Sequence, residues 1–125
     1  RDLTIQKEVC ALLSVEPSYP SMLQFGMVSR ETLDSSAAFT MQRGPSNGND
    51  SGWRIVASEE DMPSDTHSLY EISTWHRRVV PFLALPPGGK VEWTSDGLSL
   101  SLGSARISDD ESALLADILT ARAFS

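Results

Sequence analysis

The sequence is poor in the residues that most often carry chemistry. Its 125 residues include one cysteine, Cys10, and two histidines, His67 and His76. A single cysteine forms no internal disulfide, so the fold does not depend on oxidation. The neighbours Val9, Ala11, Leu12 and Leu13 predict a buried, inert thiol, with Lys7 the one cation near it in sequence. The histidines have no cysteine partners at metal-ligand spacing, which excludes the usual zinc patterns and leaves the metal expectation at none. No apolar run approaches the roughly 20 residues that cross a bilayer. The start, Arg1-Asp2-Leu3, lacks the basic and apolar regions of a signal peptide, although a leader removed ahead of it stays open. Basic residues are also scarce. Ten Lys and Arg stand against 17 Asp and Glu, a net charge of −7. That balance argues against nucleic acid or anionic lipid as partner, since both need a basic patch. It suits a basic protein partner, and it also simply keeps a protein soluble.

What is present is an ordinary globular composition, 40% apolar and 22% charged, enough for one domain over residues 1–125 with its own core. Ile5, Val9, Leu12 and Leu13 form one apolar stripe and predict a helix over 3–14. Residues 24–29, 37–42 and 53–58 read as strands, separated by a polar loop from Arg43 to Gly52. Residues 59–66 read as an acidic loop with Glu59, Glu60, Asp61 and Asp65. Ser68 and Glu71 make a capping box. The helix it opens sets Ile72, Trp75, His76 and Val79 on one face, and Pro81 kinks or ends it. Asp96-Gly97 predicts a two-residue turn in a hairpin over 90–102, with Trp93 opposite Leu100 and Val91 opposite Leu102. A second capping box, Ser108 with Glu111, predicts a last helix over about 109–122. The expected fold is α+β: a mostly antiparallel sheet of about five strands packed by two or three helices.

Searching these elements for chemistry excludes more than it finds. Asn49-Asp50-Ser51-Gly52 has a protease-like look, but the chain is too short for that fold and both histidines follow the serine. Gly88-Gly89-Lys90 lacks the frame of a phosphate loop. The carboxylates of 59–65 lack the spacing of a calcium loop and read first as a solvated segment. Neither catalytic residues nor a cofactor site are expected. Trp93 reads as core. Trp53, beside Arg54, fits equally a core cap or an interface anchor, since Trp and Arg are enriched at binding hot spots.

The run Asp50-Ser51-Gly52-Trp53-Arg54, followed by a strand and by Ser58-Glu59-Glu60-Asp61, resembles the signature of the immunity protein family numbered thirty-three of bacterial polymorphic toxin systems. Ser68-Leu69, Ile72, Val79-Val80-Pro81-Phe82-Leu83, Pro86, Gly88 and Glu92 continue the pattern, and Met27-Val28-Ser29 resembles its first strand. The resemblance covers about residues 24–94. The chain departs from it at Asp65-Thr66-His67, where the family has a Gly-Ile-Tyr-like stretch, and at Trp93, where it has Arg.

The resemblance implies a cytoplasmic protein that binds a cognate toxin and occludes its active site or substrate surface, with no catalysis of its own. The acidic segment then suggests a basic toxin such as a nuclease, its anionic substrate mimicked by carboxylates. Asp50, Trp53, Arg54, Glu59, Glu60, Asp61, Asp65 and Trp75 are the expected contact residues. The first alternative is a small intracellular ligand-binding or regulatory domain with a pocket near Trp53 and Trp75; the second is an enzyme of unrecognised type, disfavoured by the thin supply of His and Cys. A broad acidic face would favour the immunity reading, and an apolar pocket with convergent polar groups the ligand-binding one.

Overall fold

In a computed structural model, residues 2–33, 38–58 and 62–120 are described. Helix α1, Asp2–Leu12, is followed by strands β1 (Phe25–Val28), β2 (Phe39–Arg43), β3 (Asp50–Val56) and β4 (Asp65–Ser68). Helix α2, Leu69–Trp75, leads into a 3-10 helix, Arg77–Phe82. Strands β5 (Gly89–Thr94), β6 (Gly97–Leu102) and β7 (Ala105–Ser108) precede helix α3, Ala113–Leu119. The strands form one seven-stranded sheet in the order β4-β1-β3-β2-β5-β6-β7. Every pairing is antiparallel except β1 with β3. No described helix is long and apolar enough to cross a membrane.

The α+β class and the antiparallel bias match expectation, but there are two more strands than the five predicted. The additional ones are β4 and β7, whose sequences Asp-Thr-His-Ser and Ala-Arg-Ile-Ser have little apolar alternation. Each lies at an end of the sheet order and pairs on one side only. The last part of the expected acidic loop, Asp65 included, is therefore a strand.

Alternation along the strands sorts their side chains. Phe39, Met41, Trp53, Ile55, Val91, Leu98 and Leu100 point into the core with α1, α2, the 3-10 helix and α3. Thr40, Gln42, Arg54, Val56, Lys90, Glu92, Ser99 and Ser101 point the other way and stay partly or fully exposed. These residues form the open face of the sheet.

Three local expectations are corrected. The capping box at Ser68 forms, with Glu71 N–H donating to Ser68 Oγ at 3.1 Å, but the helix stops at Trp75. His76 breaks it at φ −136°, ψ 78°, and the chain resumes as the 3-10 helix with Pro81 inside. The break leaves Ile72, His76 and Val79 buried and turns Trp75 outward. The β5–β6 hairpin turns one residue earlier than predicted. Thr94 pairs with Gly97, so Trp93 faces Leu98 and Val91 faces Leu100. The Asp109 carboxylate sets this register: Leu98 N–H donates to Asp109 Oδ1 at 3.0 Å, and a Cβ on Gly97 would collide with it. A two-residue slip keeps every side chain on its expected face. Finally, α3 begins at Ala113 on Ser112, whose Oγ accepts from Leu115 N–H. Ser108 and Glu111 do meet, at 3.0 Å, but they close the turn after β7.

Candidate functional site

The Asp-Ser-Gly-Trp-Arg run builds a bulge rather than a flat strand. Opposite β1, Phe25 pairs with Asp50 and Met27 with Arg54, so three residues of one strand face five of the other. Gly52 takes φ +91° there, and a Cβ on it would collide with the Gly44 carbonyl. Ser51 Oγ donates to Phe25 O at 2.8 Å and accepts from Trp53 N–H at 3.2 Å. The bulge folds Asp50 back onto Arg54. The guanidinium grips both carboxylate oxygens, at 3.2 and 2.9 Å, and Gly52 N–H donates to Oδ1 at 2.8 Å. The Arg54 hydrogen bond, with help from Gly52, holds the Asp50 carboxyl below its ordinary value against a smaller opposing push from burial.

Trp53 is core, which corrects its reading as a contact residue. It is 0% exposed, and its indole N–H donates to Leu83 O at 3.0 Å. Nor does it share a pocket with Trp75, whose ring packs edge-on against His67 at 4.8 Å.

Beside Trp53 lies a buried charge that sequence reasoning missed. Arg43 Nε donates to Ser51 O at 3.0 Å, and Nη1 reaches the carbonyls of Ser18, Leu85 and Leu83 at 2.6, 2.9 and 3.4 Å. The guanidinium also lies 5.8 Å from the Trp53 ring. Carbonyl dipoles thus stand in for a counterion. Burial lowers the Arg43 pKa and raises that of Cys10, whose Sγ donates to Ala84 O. Arg43 pulls the Cys10 value back only in part, so burial dominates and the thiol stays above its ordinary range.

The remaining expected contact residues divide between two surfaces. Arg54 sits on the open face in a row that crosses the whole sheet: Thr66, Met27, Arg54, Gln42, Lys90, Ser101, Arg106. With Glu92 on the next row, this face is of mixed charge. Asp65 lies instead on β4, on the same side of the strand as His67, against which Trp75 of α2 packs. Trp75 is 44% exposed and Tyr70 is 66% exposed. Met22 and Leu23 are exposed as well, and Tyr70 N–H donates to Met22 O at 3.1 Å. Asp65 pairs with Arg30 at 3.4 Å, and Glu71 stands at the other end of β4. Glu59, Glu60 and Asp61 lie outside the described residues. Among the described residues no group of His, Cys, Asp and Glu is placed to hold a metal ion. Exposed aromatic side chains near carboxylates at a sheet edge are what a protein partner can grip.

The model of the Imm33-like domain matches residues 5–101. The chain belongs to the Imm33-like domain family. The match reaches beyond the region of recognisable signature to take in most of α1 and nearly all of the β5–β6 hairpin, and stops short of β7 and α3. No curated protein and no solved structure matches the chain. Within the Imm33-like frame the signature run has a structural account: Gly52 permits the bulge, Trp53 anchors it in the core, and Asp50 and Arg54 clamp it from outside.

Proposed function

We propose that this Imm33-like chain is an immunity protein, one that binds a cognate bacterial toxin and covers its active site or substrate surface. The observation that carries this reading is the family match over residues 5–101. The mechanism is stoichiometric occlusion, with no bond made or broken by the immunity protein. The contact surface is the β4–α2 corner, with Asp65, Trp75 and the sequence carboxylates Glu59, Glu60 and Asp61. Arg54 and Asp50 lie two strands in from that edge, roughly 10 Å by ordinary strand spacing, and border the contact. The partner is basic, as a nuclease that holds nucleic acid must be, and a net charge of −7 speeds its capture. The site of action is the cytoplasm of the producing cell.

The test is co-expression with the product of the adjacent gene, followed by purification and a toxicity rescue assay. A stable complex with rescue supports immunity. No complex and no rescue overturns it.

A further inference from the structure

Strand β4 is the end of the sheet, and its pairing with β1 leaves its other side open. Leu69 N–H donates to Gln24 O at 2.9 Å, which sets the alternation of the ladder. Gly26 with His67 is then a hydrogen-bonded pair, whereas Met27 with Thr66 and Phe25 with Ser68 are not. The N–H and C=O of Thr66 and Ser68 therefore point away from β1. Ser68 N–H is taken up by Glu71 in the capping box. Thr66 is left in mid-strand with both backbone groups outward, and no described residue meets them. Natural sheets usually blunt such an edge with proline, lysine or a cover. Here it is flanked by exposed Trp75 and Tyr70 and by the carboxylates of Asp65 and Glu71.

We infer that β4 accepts an extended segment of the toxin as an eighth strand, hydrogen-bonded to Thr66. This deepens the immunity reading and rests on it. Main-chain bonds would give the affinity, and the side chains beside the edge the selectivity. One face of the added strand would lie along Asp65, His67 and Trp75, which suits a segment alternating Lys or Arg with apolar residues. A second copy of this chain is the poorer occupant, because two molecules of charge −7 repel.

The test uses the full chain and the toxin domain encoded beside it. Proline at Thr66 removes the outward N–H without touching the β1 ladder, and an edge strand tolerates it there. Thr66→Pro is expected to weaken the complex about tenfold to a hundredfold, while Thr66→Val, which keeps the N–H, binds as the parent does. Independently of any variant, hydrogen exchange of the Thr66 amide in the parent protein is expected to slow on complex formation. Unchanged exchange at Thr66 in a complex that still rescues cells overturns strand addition and leaves immunity standing. So does a free protein that sediments as a dimer with Thr66 already protected, which assigns the edge to a second copy. Absence of any complex or rescue overturns the immunity reading itself.

Discussion

Arg43 and Trp53 stand opposite each other on adjacent strands and donate to the same acceptor, the Leu83 carbonyl oxygen. That carbonyl lies just past the 3-10 helix, so the pair ties the middle of the sheet to the segment that covers it. The guanidinium, lacking a described carboxylate partner, is held by backbone oxygens in a fixed fork that a lysine ammonium cannot reproduce. Arg43→Lys is therefore expected to destabilise the fold by about 2–4 kcal/mol, read as a lower denaturant midpoint at unchanged slope.

Gly52 occupies a conformation that a side chain resists, with the Gly44 carbonyl directly behind it. Gly52→Ala is expected to cost about 3 kcal/mol or more in equilibrium unfolding. An equally stable variant would show that the bulge is not needed.

The two tryptophans at 53 and 75 differ in environment and so in the expected effect of replacing them. Trp53→Phe loses a buried hydrogen bond and packing, and is expected to destabilise by about 1–3 kcal/mol. Trp75→Ala is expected to change stability by less than about 1 kcal/mol while weakening toxin binding by about tenfold or more. In the free protein, Trp75→Phe should remove the component of fluorescence most accessible to a soluble quencher.

The Asp50 carboxyl titrates below its ordinary value in the folded state, so its pairing adds stability above the unfolded value. That contribution is lost as pH falls from the usual aspartate range near about 4 through the lower folded value. Asp50→Asn is expected to flatten this part of the stability–pH profile. A profile identical to that of the parent would sink the assignment.

Cys10 is buried, and its thiol titrates above the ordinary range. A thiol reagent at neutral pH is expected to react slowly with the native protein and rapidly once it is unfolded. Fast native labelling would place Cys10 at the surface.

Much of this architecture was legible in the residues. The stripe of Ile5, Val9 and Leu13, the Ser68–Glu71 box and the alternation of β2, β3 and β5 each depend on neighbours close in sequence. The signature run pointed to its family for the same reason, since bulge, anchor and clamp fall within five consecutive residues. The site was less legible. Trp53 and Trp75 look alike in sequence, one beside Arg54 and the other on an apolar helical stripe. Alternation with Ile55 along β3 buries the first, and only the break at His76 exposes the second.

Sequence by itself determined the α+β class, the main apolar stripes and the family, because hydrophobic period and capping chemistry act over a few residues. Tertiary structure decided which strands exist at the edges, where the β5–β6 hairpin turns and which charge is buried. Strands β4 and β7 pair with one neighbouring strand each, and the second adds only Ile107 to the apolar packing. The hairpin register depends on Asp109, 12 residues beyond Gly97, and Arg43 on carbonyls contributed by four separate residues. Contacts between distant parts of a chain leave no local pattern to read, and they appear only when the fold brings their partners together.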